Sequence, residues 1–330
     1  MTQGSDQTTA CWLRADQTEL IRSIAESAGL RIIEAGSPDG PHPAERLAAK
    51  PVNDFRTLLA TTEADVVLLA DASGSVRADE QRELASILDA ADRGIQILSF
   101  EPFPATPLLL DLPIWREHTD TTRNRLHFIP LARSSPAFFD AQELLEQFGP
   151  VEAIAIRSLD DRSAGSLGAR LFGSCEMLIS LFGVPQSIDA AHAGITPESL
   201  RGLTGHLSAN ARFRDGRIAS IFVSDSAAAW SRSISLIGKS GRIEANDHAL
   251  RWLKPDRTGL TEDQPAEPGH SHDPAISIIA EAIRAALNPS IRIAPIDMPT
   301  TLAVAHAAVL SARTGQPESP TTILAMLGYS

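Results

Sequence analysis

Three places in this sequence put groups that can bind or react directly after a short apolar run. Asp71-Ala72-Ser73 follows Ala64 to Ala70, and Glu101-Pro102 follows Gly94 to Phe100. Arg14, Asp16 and Glu19 follow the run that starts at Thr8. A buried carboxylate such as Glu101 can be tuned toward neutrality and serve as a general base. Arg14 and the Ser73-Gly74 turn are what the chain offers a nucleotide.

The elements that must hold these groups read clearly. Ala64-Asp-Val-Val-Leu-Leu-Ala70 is short and β-branched at Val66 and Val67, as a strand buried on both faces is. Leu84, Ile87, Leu88 and Ala91 then recur at helical spacing, and Gly94 supplies a left-handed cap. Ile95 to Phe100 is the next strand. Strand, helix, strand is a βαβ unit, which crosses over right-handed and buries a parallel sheet. Ligands of such sheets sit beyond the carboxyl ends of the strands, where Asp71 and Glu101 lie.

The strand from Thr8 to Arg14 leads into a helix with Leu20, Ile21, Ile24 and Ala25 on one face, and a second strand runs from Leu30 to Ala35. A dinucleotide fold would place G-x-G-x-x-G in that first turn. No glycine lies between Cys11 and Gly29. Asp16 and Glu19 read instead as a capping box, whose carboxylate takes the amides a phosphate would use and repels its charge. A well-capped structural helix accounts for that pattern without a ligand. The acidic residue that would hold a ribose after the second strand is absent, and Gly36-Ser37-Pro38 stands there.

The frame Gly94 to Thr106 resembles the glucose-fructose oxidoreductase / inositol dehydrogenase (Gfo/Idh/MocA-like) family, whose members end this strand in Glu-Lys-Pro, then a small-residue turn and a Thr. Here it reads Phe100-Glu101-Pro102-Phe103-Pro104-Ala105-Thr106, with Glu101 at the family lysine. A second resemblance lies in Gly165 to Phe182, a helix that ends in Leu181-Phe182-Gly183-Val184-Pro185. Members carry an Asp and, four residues on, a His ahead of that ending; one helical turn puts both on the pocket face. Counting back, Ala169 falls at the Asp, Gly173 at the His and Glu176 at a further acidic position. No His or Asp occurs from Ala164 to Ile188. The resemblance implies an α/β fold: an N-terminal Rossmann-like doubly wound parallel sheet, then a C-terminal α+β domain with a large, mostly antiparallel sheet. It implies cofactor positions at Arg14, Ser37, Ala72, Ser73 and Pro102, and a substrate pocket at Arg170, Gly173 and Glu176. It also implies a homodimer or higher oligomer through the C-terminal sheet, or a hetero-oligomer with an intact family member.

With 330 residues the chain is long enough for two domains, placed at 1–130 and 131–330, with the last helices packing back on the first domain. Ser135-Pro136 opens a helix to Phe148, and Val151 to Ser158 starts the second domain. Pro107 to Arg125 reads as irregular. Leu203 to Phe213 and Gly216 to Asp225 read as a hairpin, with further strands to Leu253 and helices from Asp273 to Leu287 and Pro299 to Arg313. The net charge of −12 argues against a nucleic-acid grip or an anionic membrane surface. No apolar run reaches a membrane span, Met1 to Thr9 lacks a signal-peptide pattern, and the two isolated cysteines, Cys11 and Cys175, suit a reducing cytoplasm. His270-Ser-His272-Asp273 reads as a helix start, and no metal site is expected.

Four parts of the usual chemistry are therefore missing: the glycine turn, the ribose carboxylate, the lysine and the Asp/His pair. The expectation is a non-catalytic, ligand-binding or partner subunit with no cofactor. The alternative is a divergent NAD(P)-dependent oxidoreductase of a sugar or polyol with Glu101 as base and Arg170 on the substrate.

Overall fold

The computed structural model describes residues 7–71, 80–118, 120–129, 131–132, 135–161, 163–195, 199–255, 259–263, 274–291 and 294–329. The chain forms two compact units. The first takes Met1–Pro130, Ser163–Gly165 and Ala275–Pro295; the second takes Leu131–Arg162, Ser166–Pro274 and Ile296–Ser330.

In the first unit β1 (Gln7–Trp12), β2 (Leu30–Gly36), β3 (Lys50–Val52), β4 (Val66–Leu69), β5 (Gln96–Ser99) and β6 (Leu126–Phe128) form one sheet in the order β3-β2-β1-β4-β5-β6. Every neighbouring pair is parallel. This is the doubly wound order, and its direction of winding reverses between β1 and β4. All four residues of β4 are buried, as their unbroken apolar run requires. Helix α1 (Thr18–Ala28) buries Ile21, Ile24 and Ala25. Among the helices that follow α2 (His42–Arg46) and α3 (Phe55–Thr61), α4 (Glu80–Asp92) buries Leu84, Ile87, Leu88 and Ala91. Each large apolar side chain so buried contributes about 1.5–3 kcal/mol. Gly94 closes α4 at φ 101°, a conformation that favours glycine.

Residues 107–125 are more regular than their sequence suggests. They form a 3-10 turn at Pro107–Asp111, then α5 (Pro113–Arg116) and α6 (Asp120–Arg123). Pro107 and Pro113 start turns too short to show an apolar period.

The second unit opens with α7 (Pro136–Phe148), β7 (Val151–Leu159) and α8 (Leu167–Phe182). Its sheet continues through β8 (Ser187–Ala193), β9 (His206–Arg212), β10 (Ile218–Ser224), β11 (Ser231–Gly238), β12 (Gly241–Asn246), β13 (Ala249–Leu253) and β14 (Gly259–Asp263). The order is β14-β13-β12-β11-β7-β10-β9-β8. β7 sits in the middle, parallel to β10 and antiparallel to β11; the other pairs are antiparallel. Strands such as β9 alternate exposed and buried residues, the pattern of a sheet with one covered face. The β9–β10 hairpin turns at Gly216, φ 88°. Helix α9 (Pro274–Leu287) belongs to the first unit, whereas α10 (Met298–Thr314) packs against β8 and α8 within the second. A last helix, α11 (Pro320–Met326), starts at a Ser319 cap.

Candidate functional site

The first candidate region lies at the carboxyl ends of the parallel strands. The main chain knits these tips together. Trp12 O accepts the Ala70 amide at 2.9 Å, Gly36 O accepts the Leu13 amide at 3.1 Å, and Leu69 O accepts the Phe100 amide at 2.9 Å. Gly36 is required by close approach: a Cβ there would come within 2.5 Å of the Trp12 ring. That ring in turn packs edge-on to Phe55, centroids 5.4 Å apart.

Between β1 and α1 the chain makes one 3-10 turn, Ala15–Gln17. Two amides at its start are already engaged. The Arg14 amide donates to Gln17 Oε1 at 2.9 Å, and the Ala15 amide donates to Asp39 Oδ2 at 2.8 Å. Asp39 is itself set by a bond from its amide to Ser37 Oγ, 3.1 Å. This corrects the expected capping box. The 3-10 turn pushes Asp16 outward, 72% exposed, where it pairs with Arg14 Nε at 3.0 Å instead of capping α1. Glu19 pairs with Arg22 and Arg46 on the surface of the helix.

Positions 14, 16 and 19 have the spacing of the glycines in G-x-G-x-x-G and carry Arg, Asp and Glu. The second glycine of that pattern lets the backbone approach a diphosphate. A carboxylate at 16, another at 39 and two engaged amides do not fit a diphosphate held by this turn.

Arg14 Nη1 also lies 3.5 Å from Asp71 Oδ1, a buried carboxylate. Burial works against the Arg14 charge, but Asp71, Asp16 and Glu101 together hold its pKa above the usual value. Glu101 is buried, with its amide on Ser99 Oγ at 3.0 Å and its carbonyl accepting that hydroxyl at 2.6 Å. Pro102 lies in the buried stretch that follows. The structure therefore brings Arg14, Asp71 and Glu101 into one electrostatic neighbourhood. Ser37 is buried at the β2 tip. Ala72 and Ser73 lie outside the described residues, as do Gly74 and the His270–Asp273 run.

In the second unit Ser166 Oγ caps α8 by accepting the Ala169 amide at 3.1 Å. Arg170, Gly173 and Glu176 are all buried on this helix. Arg170 pairs with Asp160 and lies over the Trp230 ring, 5.4 Å from its centroid. Arg232 stacks on the same ring at 4.8 Å. Asp247 accepts from Arg232 Nε at 2.9 Å and from Trp230 Nε1 at 2.8 Å. The cluster of Trp230, two arginines and two aspartates was invisible to sequence reasoning because its members come from four separate segments, with Trp230 and Arg232 sharing one. Gln17 and Asp39 were also missed, although Pro38-Asp39-Gly40 carries a turn signal.

Cys175 is buried and its thiol is pushed up by desolvation; Cys11 is pushed up to about 12 in the same way. Neither suits a nucleophile. His192 and His206 bond Thr204 O and Ser224 Oγ, each at 2.8 Å. Among the described residues no three His, Cys, Asp or Glu side chains converge as metal ligands, and no helix is long and apolar enough to cross a membrane.

No protein-family model matches the sequence, and no curated protein is recognisably similar to it. Solved structures are similar over nearly the whole chain. An oxidoreductase from Agrobacterium radiobacter, in complex with NAD+, L-tartaric acid and magnesium, is 14% identical over 97% of this chain and 100% of its own, with a TM-score of 0.68. A levoglucosan dehydrogenase, in complex with NADH and levoglucosan, is 15% identical over 96% of this chain and 99% of its own, TM-score 0.70. A myo-inositol dehydrogenase from Corynebacterium glutamicum is 16% identical over the same shares, TM-score 0.63.

The chain has the fold of the glucose-fructose oxidoreductase / inositol dehydrogenase type. At these identities the likeness is one of fold. The neighbours overturn the expectation that no cofactor is involved, because proteins of this fold are seen with NAD+ or NADH. That expectation rested on missing side chains at the β1 turn, the β2 tip and the catalytic positions, whereas a dinucleotide of this architecture lies across several strand tips and meets backbone as well as side chains.

Proposed function

We propose that this protein is a nicotinamide-nucleotide-binding member of the oxidoreductase fold that does not turn over a sugar or polyol by the usual proton relay. The observation that carries the reading is α8. Its positions 169 and 173, where the resemblance puts an Asp and a His, hold Ala and Gly, and the neighbouring Arg170 is paired with Asp160. Neither Ala nor Gly can hold or move a proton. The solved structures with NAD+ or NADH support the choice of ligand class. The closed β1–α1 turn indicates that the diphosphate meets other donors or a rearranged turn, so binding is weak. Titration with NADH and NADPH, followed by nicotinamide fluorescence, tests the reading; no saturable binding at millimolar nucleotide would end it.

Ile218, Phe222 and Ile237 on the outward face of the second sheet support the further proposal of a dimer through that face. Sedimentation of the wild type and of Ile218→Lys checks it, with the variant expected as monomer.

A second reading is favoured by one observation, the buried Glu101 beside Arg14. Glu101 would then be the base of a divergent oxidoreductase. Turnover that disappears in Glu101→Gln while NADH affinity is kept would favour it over the first.

A further inference from the structure

β8 closes one end of the second unit's sheet, with β9 along one side of it. A strand in that place turns a row of amides and carbonyls outward, and such a row is a template for another chain. Here the row is met by residues from the end of the same unit. Ile188 and Glu318 exchange two main-chain bonds, amide to carbonyl in both directions, each at 2.8 Å. The next outward amide, that of Ala190, donates to Ser311 Oγ at 2.9 Å. Ser311 is fully buried on α10, the helix that packs on β8. Gly315, φ 67°, ends α10, and Thr314 ties the return of the chain. Its hydroxyl donates to Glu318 Oε1 at 3.0 Å and accepts the Gln316 amide at 3.2 Å. Pro317, just before Glu318, has no amide to offer a further strand. Just after it, Ser319 starts α11.

We propose that Ser311, Pro317 and Glu318 seal the edge of β8 against a second copy of this chain. An unsealed β8 would pair with the β8 of another copy. The pairing would be antiparallel about a two-fold axis at residue 190, the closed arrangement open to identical strands. The seal goes beyond the nucleotide reading and does not rest on it. It concerns the partner: copies are kept from meeting edge to edge, and the outward face of the sheet is left as the surface through which they can meet.

The test is sedimentation velocity over a concentration series, with thermal unfolding of each protein. All proteins are full chains that carry Ile218→Lys, so that the outward face contributes nothing. Ser311→Ala, Glu318→Pro and their combination are compared with that parent. Each single variant is expected to associate more strongly than the parent, and the combination about tenfold more, because two outward backbone groups are released. Adding Ala190→Pro to the combination removes the amide at the centre of the pairing, at a place where an edge strand accepts proline, and should return the protein to the parent's behaviour. Ser311→Ala deletes one oxygen and leaves the best helix former, so its result decides alone if Glu318→Pro does not fold. Folded variants that associate no more than the parent overturn the seal. Association that survives Ala190→Pro overturns it as well.

Discussion

The two units bury polar groups in different ways. In the second unit Arg170 and Arg232 both lie over the Trp230 ring, and Asp160 and Asp247 neutralise them, all inside the protein. In the first unit the strand tips combine neutral hydrogen bonds from Gln17 with a longer Arg14–Asp71 pair at 3.5 Å, whose arginine is partly exposed, and the nearby Asp16 stays in solvent. Removing one partner of a buried ion pair costs about 3–5 kcal/mol, whereas opening a neutral hydrogen bond costs about 1 kcal/mol. The difference makes the second unit's cluster the costlier of the two to disturb.

The largest effect is expected at that cluster. Asp247→Ala removes the buried carboxylate that Arg232 and the Trp230 indole N–H bond, and should lower stability by about 3–5 kcal/mol, read from urea unfolding. A loss below about 1 kcal/mol would place the cluster on the same footing as the strand-tip turn. Next in size is Gly168→Ala at the start of α8. The added Cβ would meet Leu200 O at 2.1 Å, so the helix must shift, and a loss of about 1–3 kcal/mol is expected in the same measurement.

The smallest effect contrasts one histidine from each unit. Burial lowers the pKa of His127 on β6; burial and then Arg313 lower that of His306 on α10. A histidine whose folded pKa is depressed binds its proton more readily when unfolded. Its contribution is complete above the ordinary value of 6.5 and declines as pH falls below it. Unfolding midpoints measured between neutral and mildly acidic pH should therefore fall with pH. His127→Gln and His306→Gln should each flatten part of that slope, and a slope untouched by either variant would remove both histidines from the explanation.

Much of the fold was legible because it rests on local patterns. The all-apolar β4, the helical spacing of Leu84, Ile87 and Leu88, the Gly94 cap and the Asp215-Gly216 hairpin turn each carry their structure in neighbouring residues. The site was less legible. Arg14 and Glu101 could be singled out by position after a strand, but their shared neighbourhood with Asp71 depends on three strand tips meeting. Asp16 was read as a cap because its spacing to Glu19 allows one; a single 3-10 turn, which no apolar period announces, gave that position to Gln17. The four segments that form the Trp230 cluster meet only in the folded second unit.

The central claim is that this protein holds a nicotinamide nucleotide without passing a hydride to or from a sugar or polyol. The most direct measurement is nicotinamide absorbance after mixing the wild type, at nucleotide concentrations that saturate its fluorescence response, with a panel of sugars and polyols plus NAD+, or of their carbonyl counterparts plus NADH. Binding with no change in absorbance is predicted. Turnover approaching the ~10 per second of an ordinary enzyme would contradict it.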